Sequence, residues 1–397
     1  MGLINVGRPA KFEPRADLLL TRAVGDVTGS SKPLATRGSL IRCLGALALS
    51  AACSEAPPVE AFDGGRIDRG DGGAPSGLHA VGSAIVDGEG NAVTFRGVNR
   101  SGTEYECIQG RGIFDGPNDA ASIDAIAAWN ANAIRIPLNE DCWLDLNGVP
   151  AIYAGAAYQQ AIEAYVQLVL SKGFTPLLDL HWSAPGGTAA TGQSPMPDED
   201  HSPAFWASVA GFYGGDTRVI LELFNEPYPD SNQDTTAAWT CWQQGGTCAG
   251  IGYAVAGMQE LVTAVRGAGA RNLILLGGVQ YANSLSRWES FVPDDPQTNL
   301  GAAWHLYNFN GCNSAGCFSS DSAPVLAAHP ILATELGESD CGHAFIDAAT
   351  AWLDGRTSGY LAWTWDAWGG CGDDLISDYS GTPTPYGLGY RNHLLGL

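Results

Sequence analysis

The chain has 397 residues, enough for one large barrel or two ordinary domains, and sets 42 acidic side chains against 20 basic ones for a formal net charge of −22. Only three of the basic residues are lysines. So acidic a surface repels phosphate backbones, which argues against nucleic acid as a partner.

The first 77 residues are unlike the rest. Residues 1–42 carry seven basic and three acidic side chains with little periodicity. An apolar run at 40–53 follows Lys32, Arg37 and Arg42 and ends in small residues. It falls short of the roughly 20 residues that span a bilayer and reads as an export signal. A buried N-terminal helix is the competing reading; the short run and its flanks weigh against it. Cys53 follows Ser50-Ala51-Ala52, as in a bacterial lipoprotein site, so membrane contact is expected only through a lipid anchor there. Residues 54–77, rich in Gly and Pro, read as a flexible linker. The expected organisation is a leader at 1–53, a linker at 54–77 and one domain at 78–397, secreted or held on a bacterial cell surface.

From residue 80 the pattern becomes regular. Residues 80–95 read as a β-hairpin with a turn at 87–91, placed to cap a barrel from below. Short apolar runs at 93–99, 133–138, 175–182, 219–225, 272–278, 302–307, 331–335 and 360–365 read as strands. Ala-rich amphipathic runs at 120–130, 156–171, 204–213, 253–267 and 344–355 are the clearest helices between them. Eight β units with intervening helices predict an α/β protein, a (β/α)8 TIM barrel with helices outside.

In such a barrel the chemistry sits where strands run into their C-terminal loops. Asn99, Arg100, Arg135, His181, Asn225, Glu226, His305, Tyr307, Glu335 and Trp365 all fall there. Two of them, Glu226 and Glu335, are carboxylates 109 positions apart in sequence. Two carboxyls facing one another across a cleft are the minimum for cleaving a glycosidic bond. A lone glutamate is more often a helix cap or an ion-pair partner, and Glu338, three residues past Glu335, is a rival. Glu222 and Asp179 alternate onto the faces of Glu226 and His181 and suit polar barrel layers. Trp363 competes with Trp365 as a sugar platform; alternation puts both on one face, and Trp365 is nearer the expected strand end. Trp143, Trp182, Trp239, Trp242, Trp304 and Trp368 are divided between core packing and cleft walls.

The cysteines share this geography. Cys43 and Cys53 belong to the leader. Cys107, Cys142, Cys241, Cys248, Cys312, Cys317, Cys341 and Cys371 all lie in loops after strands. An even number behind an export signal points to disulfides, and there is no Cys-x-x-Cys pair to suggest zinc. Proximity of loops favours Cys107–Cys142, Cys241–Cys248, Cys312–Cys317 and Cys341–Cys371. Serine-hydrolase elbows, phosphate-binding glycine loops and His-Glu-x-x-His are missing from the sequence.

Seven pieces in order, Phe-Arg-Gly-Val-Asn at 95–99, Ala-Ile-Arg-Ile-Pro at 133–137, Leu-Asp-Leu-His-Trp at 178–182, Leu-Phe-Asn-Glu-Pro at 223–227, Trp-His-Leu-Tyr at 304–307, Ala-Thr-Glu-Leu-Gly at 333–337 and Trp-Thr-Trp-Asp at 363–366, resemble glycoside hydrolase family 5. The resemblance covers roughly residues 78–397. It implies retaining cleavage of β-linked sugars without metal or organic cofactor. It makes Glu226 the acid/base and Glu335 the nucleophile. Arg135 and Tyr307 would hold the nucleophile, Asn225 the sugar 2-hydroxyl, His181 and His305 the cleft walls, and Trp365 the platform. The expected partner is a β-linked polysaccharide or oligosaccharide, and the expected state a monomer. An endo-β-1,4-glucanase is the first reading. A β-mannanase or another β-glycanase or β-glycosidase is the second; a transglycosylase and a barrel that binds sugar without cleaving it are further alternatives. The loop at 99–117 departs from the cellulase pattern and bears on the substrate more than on the chemistry.

Overall fold

The structure, a computed structural model, describes residues 73–370 and 372–397. The expected leader, the linker up to residue 72, and Cys371 lie outside them.

The eight apolar runs form parallel strands: β1 (Phe95–Asn99), β2 (Ala133–Asn139), β3 (Thr175–Trp182), β4 (Ile220–Glu222), β5 (Ile274–Gly277), β6 (Leu300–Tyr307), β7 (Ile331–Gly337) and β8 (Gly359–Ala362). Each pairs with the next, and β8 returns to β1, closing the barrel. All seven residues of β2 are buried, as are all seven of β7. Burial on both faces explains why these strands read as continuous apolar runs rather than alternating ones.

A helix follows each strand: α1 (Ala120–Ala127), α2 (Ala156–Ser171), α3 (Ser202–Tyr213), α4 (Met258–Gly267), α5 (Trp288–Phe291), α6 (Ala315–Leu326), α7 (Ala344–Leu353) and α8 (Pro385–Leu395). In α2, Tyr158, Ile162, Tyr165, Val166, Val169 and Leu170 form one buried stripe at helical spacing. The Asp119 carboxylate accepts from Ser122 N at the start of α1, and the Thr384 hydroxyl accepts from Gly387 N at the start of α8. These caps satisfy amides that the first helical turn leaves unpaired. Two further helices, Glu140–Leu144 and Thr236–Gln244, sit in the loops after β2 and β4. None of the helices among the described residues is long and apolar enough to cross a membrane.

The N-terminal hairpin is shorter than the sequence suggested. Strands His79–Val81 and Ala84–Val86 turn at Gly82, which takes a positive φ. The expected turn at 87–91 is present as a second one, held by the Asp87 carboxylate, which accepts from Glu89 N and Asn91 N. Leu78 and Ile85 pack with Phe95, Ala133, Leu177, Ile220 and Leu361, inward residues near the strand starts. The hairpin therefore closes the bottom of the barrel and leaves the C-terminal rim open.

That rim is cross-linked. Disulfides join Cys107 to Cys142, Cys241 to Cys248, and Cys312 to Cys317, with Cα–Cα separations of 6.2, 5.8 and 5.4 Å. Cys341 is also disulfide-bonded. Its expected partner, Cys371, is outside the described residues. The first bridge ties the loop after β1 to the helix after β2. Closing such a loop removes freedom from the unfolded chain, a stabilisation of about 2–4 kcal/mol in the chain-entropy account.

Candidate active site

Arg135, in the middle of β2, is wholly buried and organises the rim. Its Nε donates to Glu222 at 2.8 Å; Nη1 donates to Asn99 at 2.9 Å and to Glu335 at 2.7 Å; Nη2 donates to Asn225 at 2.8 Å and lies 3.1 Å from Asp179. One guanidinium thus joins side chains from β1, β3, β4, β7 and the segment after β4. Burial alone would lower its pKa, but Asp179, Glu222 and Glu335 outweigh burial and raise it. Only arginine offers five donors in a planar fork that can serve so many acceptors at once.

Glu335, on β7, is held from both ends. Arg135 takes one oxygen and the Tyr307 hydroxyl donates to the other at 2.6 Å. Burial and the Glu335 charge push the Tyr307 pKa well up, so the phenol keeps its proton and stays a donor. Glu226 lies four residues beyond the end of β4 and is the more open of the pair, its side chain 14% exposed against 5% for Glu335. Its Oε2 accepts from the Gln193 amide, and its Oε1 lies 2.9 Å from His305 Nδ1. The same nitrogen is 3.5 Å from Glu335 Oε2.

His305 therefore stands between the two carboxylates. On its far side, Nε2 lies 3.1 Å from the Thr334 hydroxyl, which donates to Glu222 at 2.9 Å. Burial would lower the His305 pKa, but Glu335, Glu222 and Glu226 together push it up to about 10. Glu226, His305 and Glu335 each place one ligand atom within 4.8 Å of the others, which is also the spacing of a cation site.

His181 Nδ1 lies 2.9 Å from Asp179, and its Nε2 is 3.5 Å from Asn225 Nδ2. Burial lowers its pKa and Asp179 more than offsets this, leaving it raised. The His181 ring stacks on Trp363 at 5.3 Å with the planes 8° apart. Arg135, His305 and Tyr307 thus meet the two glutamates, while Asn225 is bonded to Arg135 and His181 lies beside Asn225.

Trp365 does not. It is fully buried, edge-on to Trp129 at 4.8 Å, and unavailable as a platform. Strand β8 ends at Ala362, so the alternation that put Trp363 and Trp365 on one face stops before either residue. Trp363 is partly exposed and stacked against His181. Glu338 is also settled: buried, it accepts from Ile346 N and caps the first turn of α7. Trp143, Trp239, Trp242 and Trp304 are core. Trp182 is partly exposed near Tyr105, and Trp368, 48% exposed, donates to Tyr105 and Asp115 of the loop after β1. Two residues near the site were not singled out from sequence. Gln193 carries no signal, being one amide in a loop. Glu104 lies in a loop already noted as atypical; burial pushes its carboxyl up to about 7.

A closed parallel barrel with two carboxylates about one histidine at its C-terminal rim is, as a class, the framework of a glycoside hydrolase. The sequence matches the family model described as cellulase, glycosyl hydrolase family 5, over residues 86–372, and the chain belongs to that family. It is 24% identical over 306 residues to a mannan endo-1,4-beta-mannosidase of Streptomyces lividans, covering 75% of this chain and 68% of that protein. It is 22% identical to endoglucanase MaCel5A of a Microbulbifer species, covering 72% of this chain and half of the relative's length. Among solved structures, β-glucanase SdGluc5_26A of Saccharophagus degradans, also solved with cellotetraose, superposes with a TM-score of 0.61 at 19% identity, covering 81% of this chain and 94% of that one. XacCel5A with cellopentaose gives 0.57 at 20%, covering 76% and 99%. At such identities the structural likeness establishes the fold. With the family, it makes the protein a retaining glycoside hydrolase.

The tryptophans separate cleanly by experiment. Trp363→Ala is expected to lower kcat/KM on a polymeric β-glycan at least tenfold, a loss of about 1.4 kcal/mol, and to melt close to the wild type. Trp365→Ala removes a buried indole and is expected to cost about 3–5 kcal/mol of stability. Thermal melts run beside hydrolysis rates check both. Similar melts for the two variants with activity lost only in Trp365→Ala would restore Trp365 as the platform.

Proposed function

We propose that the protein cleaves internal bonds of a β-1,4-glucan with net retention, using Glu335 as nucleophile and Glu226 as acid/base. The observation that carries this reading is the single His305 nitrogen 2.9 Å from one carboxylate and 3.5 Å from the other. Arg135 and Tyr307 hold and aim Glu335. It attacks the anomeric carbon while Glu226 gives its proton to the departing oxygen. With Glu335 esterified, its charge is gone, and Glu226 takes a proton from the incoming water. Asn225 has its oxygen engaged by Arg135, which leaves Nδ2 to donate to the sugar 2-hydroxyl, a contact that strengthens at the transition state.

For the substrate, Trp363 offers a flat apolar face suited to an all-equatorial ring. Of the carboxylates in the Gly/Asp-rich loop after β8, Asp374 accepts from Gly370 N and Asp378 from Ser380 N. Asp373 is largely buried, and burial with the charges of Asp374 and Glu335 raises its pKa. Relatives named for glucan support this choice, and the Streptomyces mannanase supports mannan as the second reading. The disulfides fit an oxidising compartment, so we further infer export, with residues 1–53 as leader and anchorage through Cys53 where lipid is added.

Reducing-sugar release by purified enzyme decides the substrate. Activity on carboxymethylcellulose or mixed β-glucan is expected to exceed that on β-mannan. Turnover of mannan with β-glucans untouched would overturn the substrate and leave the chemistry standing.

A further inference from the structure

The helix after β2, Glu140–Leu144, opens on two acids, Glu140 and Asp141, and both are wholly buried. Glu140 meets Asp198, a wholly buried acid from the loop after β3, carboxyl to carboxyl in a side-chain hydrogen bond. The Ser202 hydroxyl, at the start of α3, donates to Glu140 Oε2 at 2.6 Å and lies 3.3 Å from Asp198 Oδ2. His201 N donates to Asp198 Oδ1 at 2.9 Å, and the Ala184 amide faces Glu140. The other titratable groups about the pair are Asp141, Asp200, His201 and Tyr253. Among the described residues no arginine or lysine forms an ion pair with either acid.

Two carboxylates cannot hydrogen-bond one another, because neither has a donor; the contact requires a proton on one of them. Glu140 Oε1 is buried and no donor meets it in hydrogen-bond geometry, so it is the oxygen left to carry that proton. Burial and the Asp198 charge both raise the Glu140 pKa well above the ordinary carboxylate range, and burial raises Asp198.

The loop after β3 is strapped to the same stretch of chain elsewhere. Ala190 N donates to Asp141 Oδ2 at 2.8 Å, Asn139 Nδ2 donates to Ala190 O at 2.9 Å, and Asn147 Nδ2 donates to Thr188 O at 3.0 Å. Between these straps and Asp198 the loop delivers Gln193 to Glu226. Cys142 ties the helix itself to the loop after β1, so the helix is the anchored side of the contact.

We propose that Glu140 and Asp198 share one proton, that this proton latches the loop after β3 to the helix after β2, and that the latch holds Gln193 against Glu226. Its effect on catalysis rests on Glu226 being the acid/base. With the proton in place the Glu140 hydroxyl donates to Asp198. As pH rises the proton passes to solvent, two buried anions face one another, and the contact opens. The unfolded chain releases the same proton near the ordinary value of 4.5. The pair's stabilisation is therefore full at acid pH and is lost as pH climbs through the raised folded pKa.

Glu140→Gln supplies a permanent donor of the same shape, and Asp198→Asn supplies one from the other side. Each is compared with the wild type between about pH 5 and about pH 10. Relative to Glu140→Gln, the wild type is expected to lose at least about 3 °C of Tm across that range. Amide hydrogen exchange over residues 183–201, corrected for its intrinsic pH dependence, is expected to quicken in the wild type and not in the variant. The ratio of kcat/KM for Glu140→Gln to that for the wild type, on one soluble β-glucan, should start near one and rise at least about threefold. Taking the ratio cancels the titration of Glu226 itself. A Tm difference constant with pH in both variants overturns the shared proton. A Tm shift without faster exchange, or faster exchange with an unchanged ratio, overturns the latch. A wild-type Tm lowered by EDTA would put a metal ion in the proton's place and overturn it too. Should Glu140→Gln not fold, Asp198→Asn carries the same comparison. Wild-type enzyme inactive on every β-glucan and β-mannan refutes the proposed function instead, and the melts and exchange then decide the latch.

Discussion

Glu335→Ala is expected to lower turnover about ten-thousand-fold, equivalent to about 5.4 kcal/mol at about 1.36 kcal/mol per decade. The side chain is buried and meets Arg135 and Tyr307 with its two oxygens, so its removal deletes the attacking group and leaves its two donors facing a small void. Azide fits such a void and carries the missing charge. Added azide should therefore restore part of the rate on an aryl glycoside, giving a glycosyl azide of inverted configuration, since it enters from the face Glu335 used. Glu226→Ala should differ in kind. On substrates with good leaving groups the glycosyl-enzyme still forms, and azide should intercept it to give the retained configuration. Glu338→Ala is the control. It loses the cap on α7, about 1 kcal/mol of stability, and should remain active. A dead Glu338→Ala beside an active Glu335→Ala would reverse the assignment. NMR of the azide products reads the stereochemistry directly.

Most of this site was legible in the sequence because the barrel turns one-dimensional position into three-dimensional place. Strands buried on both faces read as apolar runs, so polar residues at their ends stand out; β3 falls where the sequence put it, and Arg135, His181, Asn225, Glu226, His305, Tyr307 and Glu335 meet as expected. The failures arose where a run of residues outlasted its hydrogen bonds. Strand β8 stops at Ala362, held there by its neighbours, and Thr364 N turns away to Asp373 O. Alternation carried past that point named Trp365 when Trp363 was the accessible ring. Helix α8 was not foreseen because Gly387 and Gly389 weaken its propensity. The fold needs both: a Cβ at Gly387 would come within 1.8 Å of Leu375 O, and one at Gly389 within 2.3 Å of His343 Cβ. Gln193 was beyond reach for another reason. Its role exists only because the loop after β3 brings it to Glu226, and a lone loop glutamine has no pattern to betray that.

Arg135→Met is expected to destabilise the fold by about 3–5 kcal/mol, the cost of leaving buried charge without its partner. The argument turns on the surroundings of the guanidinium rather than on any single pair. Asp179 and Glu222 are wholly buried and Glu335 nearly so, and all three lie within 3.1 Å of Arg135. Burial raises the pKa of Glu222, and Arg135 and His305 outweigh it to leave the group lowered and ionised. Without Arg135, His305, its pKa pushed up to about 10, is left as the counter-charge to Glu222 and Glu335. The acids must then take up protons or admit water, and Asn99 and Asn225 lose the donor that orients their oxygens. Methionine fills much of the volume, so the effect isolates charge from packing. Arg135→Lys separates charge from geometry. A single ammonium keeps the positive charge but cannot reach acceptors on β1, β3, β4 and β7 together, so its stability should fall between the other two while activity stays close to that of Arg135→Met. Guanidinium unfolding of the three proteins, read by circular dichroism, gives the order. If Arg135→Met unfolds with the wild type, the carboxylates do not depend on that charge, and the account of Arg135 as the centre of the cluster fails with it.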